Sequence, residues 1–230
     1  MWDILIVDKS ASMIHNIEDI KKGFNELIKE QTEQESENRF TVIAFNTNVE
    51  ILSDDIFVNT LDVIDELTNV KGLTALLDAI GKAYSLILKQ TDIKDITLTV
   101  ITDGQENSSQ KHRGDSGRQY CKSLIELYTR QNNWTVLFGA ANIDAYQTGA
   151  QYGISADNAF NVEADAPTVT NMMRAVSGAV RTSSSHGGPV DISLIRQASA
   201  PSRVEGNQDS LPPGPSLVPD DLMLQRSKAD

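Results

Sequence analysis

The sequence predicts a doubly wound α/β fold, in which helices cover both faces of a mainly parallel sheet. Short apolar runs typical of buried strands alternate along the chain with segments whose apolar residues recur every three or four positions. Such alternation is typical of a parallel sheet with right-handed crossovers through helices. Two of the apolar runs end abruptly in a carboxylate, Asp8 and Asp103, at the edge where such sheets place ligand sites.

The first strand and the first helix are the clearest elements. Residues 4–7 are four consecutive β-favouring apolar residues, which fit a strand buried on both faces. After Asp8, apolar residues at helical spacing predict a helix over residues 12–33. Those residues are Ile14, Ile17, Ile20, Phe24, Leu27 and Ile28.

A hairpin is predicted next. Residues 39–45 form an apolar second strand, residues 46–48 have turn chemistry, and residues 49–52 supply a short partner. We therefore expect the third strand to be antiparallel and to lie at an edge of the sheet.

The remaining elements continue the alternation of helices and strands. They are a short helix around Leu61, Ile64 and Leu67, a helix over about 76–88, a strand at 96–101, a helix ending near 131, a strand at 134–138, a helix at 143–152, a strand at 159–162 and a last helix at 168–181.

Residues 1–182 form one predicted domain, and residues 183–230 form a predicted disordered tail. The tail is rich in Ser, Pro, Gly and Gln and lacks hydrophobic periodicity. It contains a short apolar cluster, residues 222–224, which is either a docking motif or a tail end without a role.

Composition limits the classes of function. A formal net charge of −12 argues against nonspecific nucleic-acid binding through a basic face. Cys121 is the only cysteine, which excludes an internal disulfide, and its helical surroundings predict a small core residue. No secretory signal and no apolar run near the ~20 residues of a membrane span are visible. We expect a cytoplasmic protein, monomeric by itself, without nucleic-acid or membrane partners.

Five oxygen-bearing side chains lie in three loops that we expect at one edge of the sheet. Asp8, Ser10 and Ser12 occupy the first strand-to-helix turn, Thr74 opens a later helix, and Asp103 ends the following strand. Because the carboxyl ends of adjacent central strands lie side by side, these loops can share one crevice. Oxygen donors without nitrogen or sulfur favour Mg²⁺, Mn²⁺ or Ca²⁺. The alternative for the first turn is helix capping by a serine.

Three motifs resemble the metal-ion-dependent adhesion site of von Willebrand factor A domains. They are Asp-Lys-Ser-Ala-Ser-Met at 8–13, Gly-Leu-Thr-Ala-Leu-Leu-Asp-Ala-Ile at 72–80 and Ile-Thr-Asp-Gly-Gln-Glu-Asn at 101–107. The motifs occur in family order, and the resemblance covers about residues 1–182. It implies a Rossmann-like sheet ordered 3-2-1-4-5-6 with strand 3 antiparallel. Leu73 departs from the family, many of whose members have a second glycine there.

The resemblance also implies a role for each site residue. Ser10 and Ser12 would bind the cation directly, Thr74 directly or through water, and Asp8 and Asp103 mainly through water. A cation held mainly by neutral hydroxyls stays electrophilic, so an open position would recruit an Asp or Glu carboxylate of a partner protein. The expected function is a metal-dependent adaptor or scaffold module and not an enzyme. Intracellular members of the family often serve as adaptors, so an AAA+ ATPase or a subunit of a complex is a candidate partner.

Two other functions are alternatives. A Mg²⁺-dependent phosphatase of the haloacid-dehalogenase kind needs a second Asp two residues after the first, as a general acid and base. Ser10 occupies that position and is a poor proton shuttle near neutral pH. The other alternative is a scaffold whose metal is purely structural and whose partners bind elsewhere, for instance through the tail.

Four polar residues near the motifs are left out of the predicted ligand set. Glu106 and Asn107 follow Asp103 and either rim the site or belong to a solvated loop, and the solvated loop is the preferred interpretation. Asp144 either reaches the crevice from the next strand or caps a helix, and the helix cap is preferred. Lys9 is interpreted either as pointing out between the ligands, where it would tune partner charge, or as simply solvated.

Overall fold

The computed structural model describes residues 1–33, 37–61, 67, 69–90, 95–131, 134–162 and 193. The strands in these ranges are β1 (Trp2–Asp8), β2 (Arg39–Phe45), β3 (Val49–Phe57), β4 (Ile96–Thr102), β5 (Trp134–Ala140) and β6 (Ala159–Asn161). The α-helices are α1 (Ile17–Glu33), α2 (Leu76–Ile87), α3 (Gly114–Gln131) and α4 (Ala145–Gln151).

The strands form one sheet in the order β3-β2-β1-β4-β5-β6. Strand β3 is antiparallel to β2, and every other neighbouring pair is parallel. This arrangement confirms the predicted doubly wound α/β fold, its strand order and the antiparallel edge strand.

Strand β1 lies at the centre of the sheet and is buried on both faces. Leu5 and Val7 pack in a core with the apolar side of α1. Ile4 and Ile6 point to the opposite face, where they pack in a second core with α2, α3 and α4. This two-sided burial is what the uninterrupted apolar run predicts, because successive side chains of a strand alternate between faces.

The chain does not pass directly from β1 into a helix. A 3₁₀ turn spans Ala11–His15, and α1 begins only at Ile17, so the predicted start near Ser12 is wrong. Ile14 fits the helical spacing but is exposed rather than buried. The Ser12 hydroxyl is bonded to Asp103 instead of capping a helix, which holds this segment to the neighbouring loop.

Strand β3 is longer than predicted and irregular. It runs to Phe57 rather than ending at 52, and its register with β2 shifts around Val42. At that point the backbone N–H of Val42 bonds the Ser53 hydroxyl at 3.1 Å, and Asp55 adopts a positive φ of 57°. Asp is depleted in strands, so the pair at residues 54–55 kept the sequence pattern from extending the strand.

Cys121 is fully buried, as predicted for a core residue. Burial, together with the charges of Asp78 and Glu106, raises the pKa of its thiol to about 12. Among the helices in the described ranges, none is long and apolar enough to cross a bilayer.

Several predicted segments lie outside the described residues. These are most of the short helix around Leu61, Ile64 and Leu67, the helix at 168–181, the domain boundary at 182, and the tail 183–230 apart from residue 193.

Candidate metal centre

The predicted loops meet at the carboxyl ends of β1 and β4. These strands pair in parallel with Val7 opposite Ile101, so Asp8 lies beside Thr102. The register therefore brings the two strand-ending carboxylate loops together, as expected for adjacent central strands.

Both carboxylate oxygens of Asp8 are engaged by hydrogen bonds. The backbone N–H of Ser10 donates to Oδ1 at 2.7 Å, and the Thr102 hydroxyl donates to Oδ2 at 2.6 Å. Burial raises the pKa of Asp8 to about 6, although these bonds act to lower it, and the charge of Asp103 adds to the rise. Asp8 is fully buried, so its position is fixed by the strands.

Two serine hydroxyls connect the carboxylate loops. Ser10 Oγ and Ser12 Oγ are 3.1 Å apart, and Ser12 Oγ donates to Asp103 Oδ1 at 2.6 Å. Burial raises the pKa of Asp103, and the bond from Ser12 opposes that rise. Ser10 precedes the 3₁₀ turn, but its side chain makes no capping hydrogen bond. The geometry therefore favours a polar cluster over the capping alternative.

The hydroxyl of Thr74 lies next to the same cluster. Thr74 is 3% exposed, and a Cβ added to Gly104 would stand 3.2 Å from Thr74 Oγ1 and 3.8 Å from Ser12 Oγ. The two hydroxyls thus border one point beside Gly104, where a larger residue would meet both. All five predicted site residues are brought together.

This donor set fits a hard divalent cation. Two carboxylates with raised pKa values lie close together, and a dication would balance their charge where burial disfavours it. In the ranges that the structure describes, no three His, Cys, Asp or Glu residues form a cluster suited to a metal. A cation here would therefore depend on the three hydroxyls, and oxygen donors of this kind suit Mg²⁺, Mn²⁺ or Ca²⁺.

Lys9 is neither solvated nor exposed between the ligands, so both interpretations of it are wrong. It is 5% exposed, and its ammonium forms an ion pair with Glu50 of β3. Its backbone N–H donates to the carbonyl of Phe45 at 2.6 Å. Lys9 therefore ties the first loop to the β2–β3 hairpin.

Glu106 is a structural residue and not part of a solvated loop. Its carboxylate accepts hydrogen bonds from the backbone N–H groups of Leu77, Ser108 and Ser109 and from the Ser109 hydroxyl, at 2.7–3.0 Å. Leu77 lies in the first turn of α2, where backbone N–H groups have no partner within the helix. Glu106 thus joins the loop after β4 to the start of α2.

Asn107 holds the backbone of Thr74. Its side-chain Oδ1 accepts from the N–H of Thr74 at 2.8 Å, and its own N–H donates to the carbonyl of Thr74 at 3.0 Å. Asn107 is exposed, as predicted, but the prediction of a merely solvated residue missed these two bonds. They fix the position of the third hydroxyl of the site.

The Thr74 loop is also tied to its neighbours. Gly72 has a φ of +82°, and a Cβ there would stand 2.6 Å from Thr47 Oγ1, so only glycine fits without strain. The backbone N–H of Leu73 donates to the Thr47 hydroxyl at 2.9 Å, and that of Ala11 donates to the Gly72 carbonyl at 3.1 Å. The loops carrying Ser12 and Thr74 are thus in direct contact.

Asp144 caps α4, as predicted. Its Oδ1 accepts from the backbone N–H groups of Tyr146 and Gln147 at 2.9 and 3.0 Å. Thr102, Glu106 and Asn107 are supporting residues whose roles the sequence did not reveal. The available signal for Thr102 was a hydroxyl directly before a strand-ending aspartate, but its use required the register of β4 against β1.

Comparisons with known proteins agree with this fold. Residues 4–105, which include all five candidate ligands, match the model of the von Willebrand factor type A domain. A search of curated proteins finds no match. Solved structures with a similar fold include a von Willebrand factor type A protein from Catenulispora acidiphila, at 14% identity and a TM-score of 0.57. The match covers 78% of this chain but only 42% of that one.

Two further structures show the same likeness. The pilus adhesin SpaC from Lactobacillus rhamnosus GG matches with 10% identity and a TM-score of 0.62, over 78% of this chain and 30% of the adhesin. The SpRpn10 VWA domain matches with 12% identity and a TM-score of 0.51, over 76% of this chain and 94% of that domain. At these identities the likeness concerns the fold.

Proposed function

The chain has the von Willebrand factor type A fold, and on this premise we propose that it is a divalent-cation-dependent protein-binding module. Such domains are commonly protein-interaction modules. In this proposal Ser10, Ser12 and Thr74 hold the cation, and Asp8 and Asp103 supply negative charge mainly through water. The bound cation supplies an electrophile that accepts an Asp or Glu carboxylate of a partner protein.

The proposal rests on one series of hydrogen bonds. It runs from Asp8 through Ser10 and Ser12 to Asp103, and the Thr74 hydroxyl lies beside it. Asp8 and Asp103 are 0% and 6% exposed, whereas Ser12 is exposed. The open side of the cluster therefore presents a neutral hydroxyl, and the negative charges lie beneath the surface. An incoming carboxylate would meet little direct repulsion, even though the protein is strongly acidic.

Binding rather than catalysis is part of this proposal. Ser10 stands where a phosphatase of the alternative class would need a second aspartate, and its hydroxyl contacts that of Ser12. The partner class, including an AAA+ ATPase, and the cytoplasmic location stay predictions. The alternative of a purely structural metal predicts that partner binding survives substitution of Thr74.

Isothermal titration of the full chain with MgCl₂, MnCl₂ and CaCl₂ tests the metal site. We expect binding of at least one of the three cations by the unmodified protein and loss of that binding in Ser10→Ala/Ser12→Ala. The double variant Ser85→Ala/Ser116→Ala, which removes two serine hydroxyls away from the site, is the matched control and should bind normally. Absence of binding with all three cations would contradict the proposal.

Selection from a library of displayed random peptides tests the recognised group. The unmodified chain should enrich, in the presence of the bound cation, peptides that contain Asp or Glu and that EDTA releases. The Thr74→Ala variant should not enrich them. Enriched peptides without an acidic residue, or equal enrichment by Thr74→Ala, would contradict carboxylate recruitment by the cation.

A further inference from the structure

Two large apolar side chains are exposed on the loops that carry the candidate ligands. Ile14, two residues after Ser12, is 62% exposed, and Leu73, directly before Thr74, is 53% exposed. The backbone contact between Ala11 and Gly72 holds the two loops together. We call Ile14 and Leu73 the apolar rim of the site.

The exposed charge nearest the apolar rim in sequence is basic, whereas the carboxylates of Asp8 and Asp103 are buried beneath it. Lys71 is exposed on the same loop as Leu73, whereas the ammonium of Lys9 is already paired with Glu50. The Glu106 carboxylate is turned to the start of α2 by its hydrogen bonds. In a protein of net charge −12, the rim therefore combines apolar surface with one exposed cationic side chain.

One segment of the chain itself has the complementary chemistry. Residues 220–224 read Asp-Asp-Leu-Met-Leu, two carboxylates followed directly by three apolar side chains. The segment lies outside the described residues. We propose that this segment docks on the site of its own chain, with a carboxylate of Asp220 or Asp221 on the cation and the apolar residues against Ile14 and Leu73. This inference rests on the proposed function, since it needs the cation.

The length of the intervening chain permits the contact. More than 50 residues separate Val162, at the end of β6, from Asp220. About 50 residues can span up to roughly 165 Å, whereas a six-stranded sheet is only about 25 Å wide. Tethering gives the segment an effective concentration of at most about millimolar at the site, so a contact with a Kd below that concentration would be populated. The tail would thereby compete with acidic segments of other proteins.

The test uses a fluorescein-labelled peptide of residues 217–226 and full-length variants of the chain. In the tail variant, Asp220→Asn/Asp221→Asn/Leu222→Ser/Leu224→Ser, the proposed internal ligand is removed without touching the domain. With Mg²⁺ present, fluorescence anisotropy should show the peptide binding the tail variant about tenfold or more tightly than the unmodified chain. EDTA should abolish the binding.

The apolar rim is tested in the background of the tail variant. Adding Ile14→Ser/Leu73→Ser should weaken peptide binding about tenfold or more, because each loses the burial of a large aliphatic group. Adding Leu88→Ser/Leu127→Ser, which changes two exposed leucines elsewhere, is the matched control and should alter affinity by less than about twofold. Equal effects of the two pairs would overturn the inference.

Two further outcomes also overturn it. One is equal peptide affinity for the unmodified chain and the tail variant. The other is a difference that appears only as the protein concentration rises, since the tail would then occupy a second copy.

Titration of each variant with MgCl₂ separates failure of the tail inference from failure of the proposed function. If the cation binds and the peptide does not, only the tail inference fails, whereas loss of cation binding removes both.

Discussion

The hydroxyl of Thr102 donates a 2.6 Å hydrogen bond to Oδ2 of Asp8 and thereby joins the carboxyl ends of β4 and β1. Both residues are fully buried. The backbone N–H of Gly104 donates to the same hydroxyl oxygen at 3.2 Å, so Thr102 also shapes the turn that carries Asp103. One buried threonine therefore sets the relative position of the two carboxylate loops.

Thr102→Val should destabilise the fold by about 1–3 kcal/mol, because it leaves one oxygen of a buried carboxylate without its donor. Thr102→Ser keeps the hydroxyl, so its free energy of unfolding should fall clearly less. Urea denaturation of both variants measures the difference. Equal loss in the two would show that packing of the threonine methyl, and not the hydrogen bond, decides its contribution.

Removal of the divalent cation should lower the thermal midpoint of the unmodified chain. A ligand that binds only the folded state stabilises it by about 2.7 kcal/mol at a hundredfold excess over its Kd. Melting curves in MgCl₂ and in EDTA measure this shift. Ser10→Ala/Ser12→Ala should melt at the same temperature in both buffers, and a shift retained by that variant would argue against the serines as ligands.

Glu106→Ala should destabilise the protein by about 1–3 kcal/mol, because the N–H of Leu77 and the hydroxyl of Ser109 lose their acceptor. Glu106→Gln keeps one acceptor oxygen, so its free energy of unfolding should fall less. Chemical denaturation measures the free energy of unfolding of both variants. A surface residue without this role would change stability by about 0.5 kcal/mol or less, and that result would contradict the role assigned to Glu106.

Asp78 should make the stability depend on pH in the acid range. Burial acts to raise its pKa, but backbone hydrogen bonds from Gln110, His112 and Lys111 prevail and hold the pKa below its usual value. A carboxyl whose folded-state pKa is depressed stabilises the protein above its unfolded pKa of about 3.9 and loses that contribution as the pH falls through the folded value.

The comparison with Asp78→Asn isolates this contribution. The gap in urea midpoint between the unmodified chain and the variant should be largest above about pH 5 and should shrink below about pH 4. Measurement of both proteins from neutral to acid pH gives the gap directly. A gap that is constant across this range would contradict the depressed pKa of Asp78.

The fold, and the meeting of the five oxygen-bearing residues at one edge of the sheet, could be predicted from sequence because their signals are local. That these residues bind a cation stays a prediction. The apolar run before Asp8 and its counterpart before Asp103 define central strands, and the hairpin chemistry of residues 46–48 defines the antiparallel edge. Where carboxylates follow neighbouring parallel strands, topology alone brings them to one edge.

Other features were decided by contacts between segments distant in sequence. Thr102 matters because the register of β4 places it beside Asp8, and Glu106 because its loop folds back onto the start of α2. Lys9 looks like an exposed cation in sequence, but it is buried, because its ammonium forms an ion pair with Glu50 of β3.

The sequence by itself thus determined which elements form and which residue types end the central strands, since periodicity and turn chemistry act over a few residues. Only the tertiary structure decided where α1 begins and which polar groups hold the loops. Hydrogen bonds such as that from Ser12 to Asp103 join residues far apart in the chain, and they override the local preference for a helix at Ser12.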